Sequence, residues 1–244
     1  MRLTDFKVLT FDCYGTLIDW ESGMVEALRP LTGRVGRPLT RNEILEAHAF
    51  HEASQQRQTP AKPYRDLLPI VFKRLAEQWG VCVAHEECAA YGRSVGNWPA
   101  FQDSPGALRY LKTFYKLVIL SNVDNESFEG SRKRLQVEFD AVVTAEDTGS
   151  YKPDMRNFEC MMERLSAGLG GVKFGKQDIL HIAESLFHDH KPANEFGLAS
   201  CWIHRRHQDQ GFGATMDPGG MPRFDFKFTS VAGLAQAHQE QMRA

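Results

Sequence analysis

Four short apolar runs, each followed by polar residues, recur along the 244-residue chain: VLTF at 8–11 before Asp12, LVIL at 117–120 before Ser121, AVV at 141–143 before Thr144, and ILHI at 179–182 ahead of Glu184. Runs this short and this rich in branched residues read as buried strands. A fifth candidate is SCWI at 200–203 before His204, and FDFKF at 224–228 alternates with period two, as a half-exposed edge strand does. Helix-like stretches lie between the runs, at 125–136, 154–166 and 191–197, and a last one spans 231–241. This alternation predicts an α/β fold: a Rossmann-like, doubly wound parallel sheet with its functional groups at the carboxyl ends of the strands.

The interval between the first two strands is too long for one crossover. Residues 18 to about 100 fill it, with helix-like composition at 23–31, 42–55, 64–78 and 85–95, separated by breakers at 36–38, 59–60 and 80. The expected organisation is a core domain of residues 1–17 and 100–244 and a helical cap domain of residues 18–99 over the strand ends. A cap there excludes water and supplies substrate contacts. Residues 207–222, rich in Gly and polar side chains, read as a long surface loop.

Charge narrows the partners. Lys+Arg number 29 against Asp+Glu 31, a net charge of -2, which gives no general attraction to nucleic acid or to an anionic membrane surface. No apolar stretch approaches the ~20 residues of a membrane span, and the first residues lack the apolar core of a signal peptide. The five cysteines are scattered without a CxxC pair, so neither a disulfide framework nor a zinc site is expected, and a reducing cytoplasm fits. His48 and His51 share a helix face and His188 and His190 flank Asp189, and both pairs read as surface or packing histidines.

Chemistry collects where the strands end. Asp12 sits in FDCYGTL at 11–17, where a turn at Gly15 lets backbone N–H groups converge beside the carboxylate. Such a loop can hold a substrate anion while Asp12 attacks as nucleophile. A carboxylate nucleophile needs a nearby cation, and Lys152, in GSYKPD at 149–154, is the candidate. Ser121 and Asn122 add a hydroxyl and an amide, and Glu184 and Asp189 add two further acids.

These four segments, in this order and with a helical insertion after the first, resemble the four motifs of the haloacid dehalogenase superfamily. The resemblance covers nearly the whole chain. It implies that Asp12 is the nucleophile and that Ser121 and Asn122, with Cys13, Tyr14 and Thr16 of the first motif, bind the substrate anion. It makes Lys152 the charge partner, with Glu184 and Asp189 positioning water, a metal or Lys152. Phosphatases of the superfamily usually carry a second Asp two residues after the nucleophile, to protonate the leaving alkoxide. This chain has Tyr14 there. A halide needs no such acid, so the chain resembles the 2-haloacid dehalogenase branch more closely. The reaction implied is displacement of halide from a small 2-halocarboxylate through an aspartyl ester, without a cofactor, in a chain that by analogy pairs as a homodimer.

Two departures leave other readings open. Matching Tyr64-Arg65-Asp66 to the branch puts His48 where an Arg receives the halide, with Arg57 and Arg65 as alternative cations. Glu184 and Asp189 also resemble the acids that hold magnesium in phosphatases, where Asp12 and the Tyr14 carbonyl would complete the site. A magnesium-dependent phosphatase on a small phosphomonoester is therefore the alternative, and a non-catalytic small-anion binder the second. Trp20, Phe50, Tyr64 and Trp98 are candidates for an apolar pocket wall.

Overall fold

A computed structural model describes residues 1–243. Six strands, β1 (Val8–Phe11), β2 (Lys116–Ser121), β3 (Ala141–Thr144), β4 (Ile179–Ala183), β5 (Ala199–Ile203) and β6 (Phe226–Phe228), pair throughout in parallel in the order β3-β2-β1-β4-β5-β6. The chain runs outward from β1 to β3 and then returns to its other side at β4. The crevice between β1 and β4 is thus the switch point at which such sheets bind ligands.

Every residue of β1 and β4 is buried. Alternation sends Leu9, Phe11, Leu180 and Ile182 to one face, and Val8 and Ile179 to the other, and each face has its own apolar cluster. The helices outside the insertion are α6 (Ser104–Leu111), α7 (Asn125–Leu135), α8 (Ala145–Thr148), α9 (Arg156–Ala167), α10 (Lys191–Phe196) and α11 (Val231–Arg243). They cover both faces, as two-sided burial requires. No helix among the described residues is long and apolar enough to cross a membrane.

The insertion supplies α1 (Trp20–Ala27), α2 (Arg29–Thr32), α3 (Arg41–Gln58), α4 (Tyr64–Gln78) and α5 (His85–Gly92). α1 starts three residues earlier than the apolar pattern suggests, because the Asp19 carboxylate accepts from Ser22 N at 3.1 Å and caps it. It stops before Pro30, which has no N–H to continue the ladder. A Thr40–Glu43 capping box opens α3. The two ends of the insertion are stitched side by side, Asp19 N donating to Pro99 O at 2.8 Å and Phe101 N to Leu17 O at 3.0 Å. Helices α3, α4 and α5 pack on one another in sequence.

Candidate active site

Asp12 follows β1 directly, Ser121 ends β2, Lys152 follows the turn after α8, and Asp189 lies in a one-turn π-helix, Leu186–His190, between β4 and α10. Single π turns concentrate at functional sites. Here the turn directs the buried Asp189 at Lys152. The Lys152 ammonium is 1% exposed and uses three donors, to Asp12 Oδ1 at 2.9 Å, Asp189 Oδ1 at 2.6 Å and the Leu120 carbonyl at 3.0 Å. Its backbone is clamped as well: Lys152 N donates to Asn122 Oδ1 at 2.6 Å, and Asn122 Nδ2 to Lys152 O at 3.0 Å.

Burial works against the ammonium charge, but Asp12 and Asp189 outweigh it and the lysine pKa is raised. Asp189 is likewise desolvated, yet Lys152 and His181 hold its pKa well below the usual carboxylate value. Asp12 is pushed upward by burial and by Asp189, and Lys152 and Thr16 pull it back. The triad therefore shares one cation between two carboxylates, and the ammonium favours their charged forms in a dry site.

Thr16 fixes the other Asp12 oxygen, its Oγ1 donating to Oδ2 at 2.7 Å while accepting from Glu184 N at 2.8 Å. The loop carrying Thr16 turns through Gly15 at φ 95, a backbone conformation that favours glycine. Arg205 braces this loop by donating twice to the Thr16 carbonyl, at 2.9 and 3.1 Å. Below the lysine, His181 Nε2 lies 3.0 Å from Asp189 Oδ1 and its Nδ1 lies 2.9 Å from Thr10 Oγ1. This fully buried pair follows from register, since Thr10 and His181 are partners across β1 and β4.

These groups floor a cavity of about 40 Å³. Asp12, Tyr14, Ser121, Asn122, Lys152 and Asp189 line it from the core, with Ser185 and His188 beside them, and Trp20, Glu52, Gln56 and Tyr64 from the insertion. Two buried polar atoms on its walls, Ser121 Oγ and Asp189 Oδ2, have no hydrogen-bond partner. The Cys13 and Tyr14 N–H groups also take no partner among the described residues. Unpaired polar groups at one small concavity are what a bound anion and a water molecule satisfy. A second space of about 470 Å³, lined by Arg57, Tyr151 and Phe187, shares Gln56, Lys152 and His188 with the first.

The structure thus brings together Asp12, Tyr14, Thr16, Ser121, Asn122, Lys152 and Asp189. Cys13 is adjacent but fully buried, with its thiol pKa raised by desolvation, and it does not line the cavity. Glu184 lines a neighbouring cavity of about 170 Å³ with Glu21, Arg41, Arg205 and Arg206, where burial and the Glu21 carboxylate push it up to about 8. His48 is fully buried inside the insertion and does not line the main cavity. Its ring nitrogens lack partners and burial drives its pKa down to about 3.

Trp20 and Tyr64 line the cavity; Trp98 packs edge-on to Tyr14 at 5.9 Å, and Phe50 is 61% exposed. Arg65 turns away to Glu126 at 2.8 Å. Glu52, Gln56, Val123, Ser185, His188 and Thr215 are the wall residues that sequence reasoning missed. The buried Ala214 beside Thr215 also shows that part of the 207–222 segment is packed. Its one signal in the sequence was the GFGAT stretch, small residues able to approach another chain closely.

Asp12 and Asp189, with the Tyr14 carbonyl, are the groups of this cavity that would hold a magnesium ion. No three His, Cys, Asp or Glu side chains converge at metal-binding distance among the described residues, and the Lys152 ammonium stands between the Asp12 and Asp189 carboxylates.

A sequence profile of haloacid dehalogenase-like hydrolases matches residues 6–183. The chain belongs to the haloacid dehalogenase-like hydrolase family. Among relatives, an (S)-2-haloacid dehalogenase of Pseudomonas sp. (strain YL) is 28% identical over 204 residues, 82% of this chain and 83% of that protein. An (S)-2-haloacid dehalogenase of Pseudomonas putida is 26% identical over 209 residues, 84% and 87% of the two chains. The fold matches an L-2-haloacid dehalogenase from Xanthobacter autotrophicus with chloropropionic acid covalently bound, at TM-score 0.75 and 17% identity over 96% of this chain and 98% of that one. It also matches the magnesium-bound HAD-hydrolase YfnB from Bacillus subtilis, at TM-score 0.74 and 20% identity over 98% and 100%. The α/β core expected from the strand pattern is therefore the fold of this family's hydrolases, and this chain is one of them.

Proposed function

We propose that the protein hydrolyses the carbon–halogen bond of a small 2-halocarboxylate without a metal, with residues 18–99 acting as a cap domain over a core of 1–17 and 100–244. The observation that carries this reading is the nucleophile's setting: Asp12 is fixed by Thr16 and Lys152, and the position two residues on holds Tyr14, whose hydroxyl is bonded to Ser131 Oγ at 2.7 Å. No acid stands there to protonate an alkoxide. The names of the two Pseudomonas relatives point to the same chemistry.

In this reading the substrate carboxylate takes up the free Ser121 hydroxyl and the Tyr14 N–H group. Asp12 attacks C2 from the side opposite the halogen, forming a carbon–oxygen bond as halide leaves with the bonding pair. Water, held by the free Asp189 Oδ2, then attacks the carbonyl carbon of the Asp12 ester. The hydroxy acid departs with an oxygen that came from Asp12. Attack at C2 inverts that centre and ester hydrolysis leaves it alone, so an (S)-2-haloacid gives the (R)-2-hydroxyacid.

The test is halide release from both enantiomers of 2-chloropropionate by metal-stripped protein, with and without added magnesium, beside phosphate release from an aryl phosphate. The expected result is metal-independent chloride release from one enantiomer, abolished by Asp12→Asn. Magnesium-dependent phosphate release with no chloride overturns the reading.

A further inference from the structure

The mechanism above leaves one buried carboxyl of the cavity unused. Glu52, from the middle of α3, is 5% exposed and lines the same small cavity as Asp12. No arginine lines this cavity, and its one cation, Lys152, is committed to Asp12 and Asp189. The nearest basic group to Glu52 is His48 Nδ1, one helical turn back at 3.7 Å and beyond hydrogen-bond distance. Around Glu52 stand Tyr64 of α4, Tyr91 of α5 and Tyr151 of the core, all with hydroxyl pKa values raised by burial and hence neutral. Gln56 Nε2 lies 3.4 Å from Glu52 Oε1. On the core side His188, lowered to about 4 by burial, brings no charge either. The insertion side of this cavity thus offers neutral donors, and its lining holds no positive charge besides Lys152, Arg57 lining only the adjoining space.

We propose that Glu52, in its protonated form, is the acid that donates to the departing leaving group, and that it favours a basic, strongly hydrogen-bonding leaving group, fluoride above the other halides. This rests on the dehalogenase reading and names the residue at its leaving-group end. As the Asp12 oxygen bonds to C2 and the C2–F bond breaks, the electron pair leaves on fluorine and the Glu52 proton moves to it. Glu52 is left as a carboxylate. Hydrolysis of the aspartyl ester consumes one water and releases one proton, and Glu52 recovers one, so the cycle turns 2-fluoroacid and water into 2-hydroxyacid and HF. Burial holds Glu52 at about 7, with the Tyr64 hydroxyl pulling the other way, so the donor form is present at and below neutral pH. The same donation gains little for bromide, a far weaker base.

The test compares kcat/KM for 2-fluoropropionate and 2-bromopropionate on the same preparations of wild-type protein, Glu52→Gln, Glu52→Asp and Asp12→Asn. Because both substrates meet the same active sites, the ratio of the two values does not depend on how much of a variant folds. Loss of a general acid is expected to lower fluoride release by about 100-fold. Bromide release should fall by at least about tenfold less, and Glu52→Asp should restore part of the ratio. In the wild type the fluoride-to-bromide ratio should decline as pH rises through about 7, and in Glu52→Gln it should be flat. Equal losses on both substrates, or bromide release with no fluoride release by the wild type, overturn the role of Glu52 alone. If the wild type releases neither halide, or release survives Asp12→Asn, the dehalogenase reading itself falls and this inference with it.

Discussion

At Lys152 one ammonium serves two buried carboxylates and a main-chain carbonyl, so its removal is costlier than the loss of any surface pair. Lys152→Met would leave Asp12 and Asp189 facing each other without a countercharge, and a cost of about 3–5 kcal/mol in equilibrium urea unfolding is expected, together with loss of all turnover. Ser121→Ala removes a hydroxyl that has no partner inside the protein, and so costs little stability. It should raise KM for the haloacid by at least about tenfold, in line with about 1.5 kcal/mol or more for one hydrogen bond to a charged group. Glu52 gives a pH signature of opposite sign to an ordinary salt-bridged acid. Folded Glu52 binds its proton more tightly than the unfolded chain does, so its contribution is present below the unfolded value of about 4.3 and is lost as pH rises toward about 7. The melting temperature of the wild type should therefore decline over that window relative to Glu52→Gln, and parallel curves would count against a protonated buried Glu52.

At the scale of elements, the 204–225 segment after β5 does what a crossover helix does elsewhere in the sheet. Arg206 forms an ion pair with Glu21 of α1, and Ala214 N donates to the other oxygen of that carboxylate at 3.1 Å, which carries Thr215 to the cavity wall. Gly213 permits this approach: its φ is 61, and a Cβ there would come within 1.9 Å of Glu21 Oε1. Gly213→Ala should loosen the strap, raising KM about tenfold by the loss of one or two contacts and speeding limited proteolysis between residues 207 and 222, with the core still folded. Much of this architecture was legible because each motif residue lies at, or within eight residues of, the end of a buried apolar run. Asp12 and Ser121 could be placed from strand ends, and Lys152 and Asp189 from the motif resemblance as well. The walls were not legible. Glu52 and Gln56 sit on α3, which buries His48, Glu52, Gln55 and Gln56 beside its apolar residues, so hydrophobic periodicity gives no sign of which face or turn meets the core. His48, four residues before Glu52, is buried edge-on against Tyr91 at 6.0 Å while Glu52 reaches the cavity. The strap was hidden for a related reason, since its Gly-rich composition is shared by solvated loops and packed ones alike.

For the whole molecule, the insertion and core meet over the carboxyl ends of β1 and β4, and polar links outside the cavity hold them there. Asp124, the N-cap of α7, accepts from Arg65 N of α4 at 2.8 Å, and Tyr151 donates to Lys62 O at 2.5 Å. The cavity of about 40 Å³ beneath these links leaves room for little water, which suits displacement by a desolvated carboxylate. The central claim is that Asp12 itself becomes bonded to the substrate carbon and that water attacks the aspartyl carbonyl afterwards. A single turnover in H₂¹⁸O, with enzyme in excess over 2-chloropropionate, tests it directly. The account requires a first-turnover hydroxy acid free of ¹⁸O and one ¹⁸O atom in the peptide that contains Asp12. Label in the hydroxy acid on the first turnover, with none in that peptide, would mean that water attacks the substrate carbon and that Asp12 is a base rather than the nucleophile.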